Sequence, residues 1–300
     1  MTGITVDDFE AERSRLVGLA YRMTGSVVDA EDIVQETWLR ATTASDVDRP
    51  PAWLTTVATR LAIDRLRSAS RRRERYVGPW LPEPILTDPD PASVVERGES
   101  LTLSFLHVLD RLEPVERAVF LLRDVFDVDY HEVAAVVDRT EANCRQIARR
   151  ARDRVRSERP RFHVDPSRRR ALLDSFLTAV LSGDCDALSD LLAEDVVLVS
   201  DGGPTRHAAR RPVVGPHRVA RFMVNLAKRF PDVRIELAEV NAAPALLAFL
   251  PDGELRLVNV VEFDGDRLRR IESISAPDKL ARFAASLPRS TTADPSVVEP

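Results

Sequence analysis

Three side chains in this 300-residue chain have the chemistry of an acid or base catalyst: Asp201, His207 and His217. A carboxylate and two imidazoles can move protons near neutral pH, but only when held beside a nucleophile or a substrate proton. All three sit in or beside expected loops, and no compact pairing of a nucleophile with a base accompanies them. Metal-ligand spacing and a phosphate-cradling glycine loop are also missing. Cys144 and Cys185 stand too far apart in sequence for a metal-type spacing or a disulfide framework. The expectation is therefore no catalytic residue, no metal and no cofactor. What the chain concentrates is guanidinium. Residues 60–75 carry 7 Arg against 2 acidic residues, and residues 139–161 carry 9 against 3. Forked arginine donors match phosphates and guanine edges. The opposite sign dominates residues 1–58, with 5 Arg against 10 acidic residues, and more weakly residues 171–286, with 14 basic against 17 acidic. The net charge of -5 hides this division.

These groups must be carried by elements that the spacing identifies. Asp7 is a candidate cap for a first helix bearing Phe9, Leu16, Leu19 and Met23, closed by Gly25. Asp29 is a candidate cap for a second, "DAEDIVQETWLRA", with Ile33, Val34, Thr37, Trp38 and Ala41 on one face and carboxylates on the other. Pro50 and Pro51 open a third, whose apolar stripe is Trp53, Leu54, Val57, Leu61 and Leu66. Prolines 79, 82, 84, 89 and 91 then forbid helix and favour a stiff, extended strip.

Residues 129–156 have helix-turn-helix proportions. Asp129 and Glu132 suit a capping box, Asp138 the left-handed turn and Thr140 the cap of the second helix. In that second helix Cys144, Ile147, Ala148, Ala151 and Val155 fall inward, leaving Glu141, Asn143, Arg145, Gln146, Arg149 and Arg152 outward. Asn, Gln and Arg are the side chains that read base edges in the major groove. Beyond residue 170 the pattern changes to helices near 168–182 and 184–193, then strands at 195–200, 233–241, 245–250, 254–263 and 267–275. Hairpin signals at Pro251-Asp252-Gly253 and Asp264-Gly265-Asp266 predict an antiparallel meander for the last three.

Taken in order, "DAEDIVQETWLRA", "WLTTVATRLAIDRLRSASRRRE" and "LEPVERAVFLLRDVFDVDYHEVAAVVDRTEANCRQIARRARDRV" resemble the signatures of the extracytoplasmic-function sigma factors of bacterial RNA polymerase. The resemblance implies two all-α domains, region 2 and the region 4 helix-turn-helix. Through it Asp29, Glu31, Asp32, Gln35 and Glu36 are expected to grip the clamp helices of the largest polymerase subunit. Thr59, Arg60, Arg65, Arg67, Arg71 and Arg72 are expected at the promoter −10 element, although many members have Asn where Arg60 stands. Thr140, Asn143, Arg145, Gln146, Arg149 and Arg150 are expected at the −35 element.

The C-terminal block resembles the SnoaL-like cone, an α+β barrel formed by a curved sheet wrapped by helices. A subgroup of these sigma factors joins such a cone to a proline-rich linker. Trp80, Leu81 and Pro82 match its linker motif; Asp201, Gly202 and Gly203 match one domain motif and Pro277, Asp278, Lys279 and Leu280 another. Pro204 and Thr205 replace the usual Gly and Lys of the first, and Ala276 the usual Asn of the second. The resemblance implies a regulatory contact between those motifs and the linker. The expected organisation is region 2 over 1–75, linker over 76–92, region 4 over 93–160, the SnoaL-like domain over 168–287 and a disordered tail over 288–300. The expected partners are core RNA polymerase and promoter DNA, with a small-molecule ligand of the cone left open. The competing function is a SnoaL-type isomerase or hydrolase carrying a DNA-binding module. With an acidic amino end and no apolar run near the roughly 18 residues needed to span a bilayer, a cytoplasmic, non-membrane protein is expected.

Overall fold

Hydroxyl side chains, rather than the expected carboxylates, start the first two helices. In the computed structural model, which describes residues 3–73, 76–87, 101–158 and 166–288, α1 (Val6–Thr24) is capped by Thr5. The Thr5 hydroxyl accepts from the Asp8 N–H, and the Asp8 carboxylate accepts from the Thr5 N–H in return. That reciprocal box leaves Asp7 inside the first turn. Likewise α2 (Val27–Ala41) is capped by Ser26, which accepts from the Asp29 N–H at 3.2 Å. Asp29 thus lies in the first turn, where its charge suits the helix dipole. Pro50 opens α3 (Pro50–Arg73) as the sequence predicts.

Contacts divide the chain into two compact units, residues 1–75 with 104–159, and residues 76–103 with 160–300. In the first, α1, α2 and α3 bury Leu16, Leu19, Ile33, Leu54 and Ala62 between them. Trp53, Val57 and Leu61 are only half-buried, so the buried stripe of α3 runs instead through Leu54, Ala58, Ala62 and Leu66. Trp38 is also half-buried and packs its ring on Phe9 at 4.8 Å, which fixes the inner face of α2. The same unit continues with α4 (Leu103–Leu109), α5 (Pro114–Phe120) and a single π turn over Leu121–Val125. The helix-turn-helix follows as α6 (Tyr130–Val137) and α7 (Glu141–Glu158). Asp138 holds the left-handed turn at φ 55°. Asp129 begins α6 without any side-chain cap bond: its carboxylate lies 3.8 Å from Arg123, and Glu132 reaches Arg49 at 2.5 Å instead of closing the box.

The second unit contains α8 (Pro166–Ser182), α9 (Cys185–Asp190) and a six-stranded sheet with the order β2-β1-β6-β5-β4-β3. Its strands are β1 (Leu192–Asp201), β2 (Val213–Val214), β3 (Arg234–Val240), β4 (Ala243–Phe249), β5 (Leu255–Asp264) and β6 (Arg267–Ile274). The meander β4-β5-β6 is antiparallel, as the two hairpin signals require. β1 however pairs parallel with β6, an adjacency of strands far apart in sequence. Two helices lie outside the expected elements, α10 (Pro216–Arg229) and α11 (Pro277–Ser286). Leu173, Phe176, Val196, Val219, Met223 and Ile271 form the core between sheet and helices. Among the described residues no helix is long and apolar enough to cross a membrane. The segment 288–300, but for Pro288, and the prolines at 89 and 91 lie outside the described residues.

Candidate functional site

The acidic face of α2 presents Glu31, Asp32 and Gln35 outward, with Asp29 and Glu36 half-buried. Two of these carboxylates meet α3: Arg65 reaches Asp32 at 2.9 Å and Asp29 at 3.4 Å. Glu36 pairs with Arg40 one turn on, at 2.9 Å. Arg65, which the sequence places with the DNA-facing arginines, therefore serves here as the counter-ion of α2. Arg67 is exposed and reaches Asp64. Thr59 is fully buried, and its hydroxyl has no partner among the described residues. The side chains of Arg71 and Arg72 lie outside the described residues.

Arg60 is occupied in a different way. Its guanidinium donates to the carbonyls of Val136 at 3.0 Å and Ala135 at 2.9 Å, at the carboxyl end of α6. A cation there is favoured by the helix dipole as well as by the hydrogen bonds. Arg117, only 3% exposed, donates to the Met23 carbonyl at 2.5 Å and to Asp110 at 2.7 Å. Arg49 and Arg60 thus join residues 3–73 to α6 of the helix-turn-helix, and Arg117 joins them to α5.

The outer face of α7 carries Thr140, Asn143, Arg145, Gln146, Arg149 and Arg150, all exposed. Thr140 caps the helix by accepting from the Asn143 N–H at 3.2 Å. Arg145 pairs with Glu141 and stacks over Tyr130 at 5.0 Å. Arg152, expected outward, turns inward: it donates to Asp124 at 2.6 Å and to the Tyr130 hydroxyl at 3.1 Å. The Asp124 carboxylate holds its pKa above the usual arginine value. Cys144, Ile147, Ala148, Ala151 and Val155 are buried as the spacing predicts.

The second unit draws its motif residues into one buried cluster. Asp201, at the end of β1, is 0% exposed and Lys279, in the first turn of α11, is 5% exposed. Lys279 Nζ lies 2.7 Å from Asp201 Oδ2. It also donates to the Leu81 carbonyl, and it sits 4.2 Å from the centre of the Trp80 ring. The Leu81 N–H donates to the same Asp201 oxygen at 2.9 Å, so both main-chain groups of Leu81 end on one ion pair. The other oxygen, Oδ1, accepts from the Tyr76 hydroxyl at 2.6 Å and the Gly203 N–H at 3.0 Å. Gly203 has φ 62°, and a Cβ on Gly202 would lie 2.5 Å from the Arg206 carbonyl oxygen, which explains both glycines. Pro82 is buried beside Leu81, and Leu280 is buried on α11, whereas Asp278 is exposed. A buried charge is tolerated when paired and hydrogen-bonded, and this pair is.

A second anchor lies further along the strip, at residues with no motif. Asn241, buried and at φ 52° in the β3–β4 turn, accepts from the Ile85 N–H at 2.9 Å and donates to the Leu101 carbonyl at 3.0 Å. Its own N–H donates to the Ile85 carbonyl, and Leu86 bridges Val240 as a short antiparallel pair. Thr87 completes the anchor through the Ala242 N–H.

Burial, then the bond to Asp201, pushes the Tyr76 phenol well above its ordinary pKa. Burial pulls the Lys279 ammonium below the ordinary lysine range, against the pull of Asp201. A phenol whose pKa is raised on folding stabilises the folded state fully below its unfolded pKa, and that contribution is lost as pH rises above about 10. The docked strip should therefore hold from pH 6 to 9 and loosen above pH 10. Trp80 fluorescence in a chain with Trp38→Phe and Trp53→Phe would follow this. Tyr76→Phe should weaken docking and remove the part of the alkaline loosening that the phenol causes; an unchanged profile would count against the assignment.

Asp201 is therefore committed to an ion pair. His207 is exposed at the rim of the domain cavity, and His217 is bonded to the Ser189 hydroxyl at 3.1 Å near the start of α10. The described residues contain no group of three or more His, Cys, Asp or Glu able to hold a metal.

Comparison with known proteins follows the same division. Residues 9–72 match the sigma-70 region 2 family, residues 102–155 sigma-70 region 4, and residues 173–271 a SnoaL-like domain. The chain is 42% identical over 230 residues to the ECF RNA polymerase sigma factor SigJ of Mycobacterium tuberculosis, covering 75% of this chain and 74% of that one. It is 32% identical over 286 residues to a probable ECF RNA polymerase sigma factor, SigI, of the same species, covering 93% and 96%. The crystal structure of M. tuberculosis SigJ superposes with a TM-score of 0.74 at 34% identity, covering 92% of this chain and 98% of that chain.

Proposed function

Because the chain belongs to the extracytoplasmic-function sigma factors, which join core RNA polymerase, read promoter DNA and start transcription, we propose that its SnoaL-like domain governs that activity by gripping the strip between the two DNA-reading regions. The observation that carries this is the clasp: a buried Asp201–Lys279 pair that ends on both main-chain groups of Leu81.

Reach supplies the mechanism. Elements at −35 and −10 are about 25 base pairs apart, or about 85 Å at 3.4 Å per pair. The chain from residue 76 to 101 could span a similar distance if fully extended, at about 3.3 Å per residue. Tied at Tyr76, Leu81, Ile85, Thr87 and Leu101 to one domain, it cannot extend. The clasped chain is then the restrained form, in which Arg60 remains on the α6 carbonyls rather than on DNA. Release frees Arg60, which with Thr59, Arg67, Arg71 and Arg72 then serves the −10 element. Asn143, Gln146, Arg149 and Arg150 serve the −35 element, with Thr140 and Arg145 at the start of that surface. Asp29, Glu31, Asp32, Gln35 and Glu36 meet the basic clamp helices by charge complementarity. In this reading the C-terminal domain performs no chemistry, since the buried Asp201 carboxylate next to the strip is spent on Lys279.

Run-off transcription with core polymerase is the test. Residues 1–164, lacking the domain, should yield several times more transcript per mole than the full chain at equal occupancy of core. Equal yields would rule out restraint in cis.

A further inference from the structure

The sheet together with α8 and α10 forms a cavity that opens to solvent on one side. Phe176, Val180, Phe222 and Leu246 make its walls apolar. A polar row crosses this lining. Ser200 on β1 stands opposite Ser273 on β6, and Ser273 stands opposite Asn259 on β5, so the three side chains lie level across adjacent strands. All three line the cavity. Ser200 and Asn259 are 4% and 5% exposed, yet Ser200 Oγ and Asn259 Oδ1 have no hydrogen-bond partner among the described residues. Buried polar atoms are nearly always paired, so two that the protein leaves open inside a cavity take their partner from the solvent or from a guest.

The row also adjoins the clasp. Ser200 precedes Asp201 in the chain. The Asp201 carbonyl accepts from the N–H groups of Ser275 at 2.7 Å and Ala276 at 3.1 Å, and Ser275 lines the same cavity. Whatever sits against Ser200 and Ser275 bears on the main chain that aims the Asp201 carboxylate at Lys279.

We infer that the cavity binds one small hydrophobic molecule ending in a hydroxyl group, an alcohol or phenol, and that its occupancy reinforces the clasp. A hydroxyl is the small group that can donate to Asn259 Oδ1 while its oxygen accepts from a serine hydroxyl of the row. The hydrocarbon remainder is held by the apolar walls. The cavity with its level row belongs to the clasped arrangement, so a guest that fits it stabilises that arrangement by mass action. Linkage makes the effect reciprocal: loosening the clasp must weaken the guest by the same factor. The second half rests on the regulatory reading above; the binding half does not.

The test uses the full chain and two probes, 2-naphthol and 2-methoxynaphthalene, titrated by calorimetry. The naphthol should bind one to one, at least about tenfold tighter than the methyl ether, which cannot donate. Asn259→Leu should remove that preference and, because an unpaired buried amide is gone, raise Tm by a few degrees. Asp201→Asn should weaken naphthol binding about fivefold or more, within the usual range of coupling between sites. Tyr76→Phe, which leaves the ion pair intact, should weaken it about twofold. Equal binding of the two probes, or binding of neither, would overturn the site. Naphthol affinity unchanged in Tyr76→Phe and in folded Asp201→Asn would overturn the coupling. Because these titrations contain no polymerase, they fail independently of the transcription test.

Discussion

Replacing Lys279 alone by methionine should cost the C-terminal unit about 3 kcal/mol, a loss of roughly 10 °C in Tm. The variant leaves Asp201 buried at 0% exposure with its cationic partner removed, and a lone buried carboxylate is among the costliest single-site defects. Three donors remain on it, from Tyr76, Leu81 and Gly203, which keeps the loss from being larger. The double variant Asp201→Leu with Lys279→Met should recover most of the stability, because replacing both charges of a buried pair with apolar groups is often neutral. It should not recover the strip. Leu81 then has neither its acceptor nor its donor, so docking of residues 76–87 depends on the second anchor, from Ile85 to Thr87 around Asn241. Thermal unfolding checks the first part and hydrogen exchange at the Leu81 amide the second. A single variant as stable as the parent would show that the pair is not the anchor described here.

Reversing charge on the acidic face, Asp32→Arg with Glu36→Arg, should lower affinity for core polymerase at least about a hundredfold. Like charges brought together at an interface cost several kcal/mol, and each 1.4 kcal/mol is tenfold in affinity. Both side chains are about half exposed, at 53% and 45%, and their present partners are solvent-accessible, so the fold should survive. Loss of the Arg65–Asp32 contact is a small surface effect by comparison. Pull-down with core enzyme, with circular dichroism as the folding control, decides it. Retained binding in a folded double variant would remove the clamp-helix assignment.

Local chemistry was readable from the sequence wherever a single residue type settles a backbone choice. Proline at position 50 marks a helix start, aspartate at 138 takes a left-handed turn, and glycines at 253 and 265 mark hairpins. The inward stripe of α7 was readable because its spacing is regular. Pairings between distant residues were not. Tyr76 and Asp201 are 125 positions apart, and Ile85 and Asn241 are 156 apart, with no periodicity linking them. The parallel β1–β6 pairing is hidden for the same reason. Motif resemblance pointed to Asp201, Lys279 and Leu81, but only the fold joins them through one ion pair. The helix α10 did leave a signal, Pro216 at its first position with Val219, Ala220, Met223 and Val224 on one face, though its neighbourhood reads as a loop. Arg152 was misplaced because periodicity ignores a long side chain's freedom to fold back onto Asp124. The polar row of Ser200, Ser273 and Asn259 is invisible in sequence, since three strands must first be set in register.

Restraint through the clasp is tested most directly by run-off transcription with core polymerase, comparing the parent chain with the folded Asp201→Leu/Lys279→Met variant at saturating core. Freed of its anchor, the variant should make several times more transcript from the same promoter. Identical yields from the two proteins, with the strip shown by hydrogen exchange to be undocked in the variant, would contradict the claim.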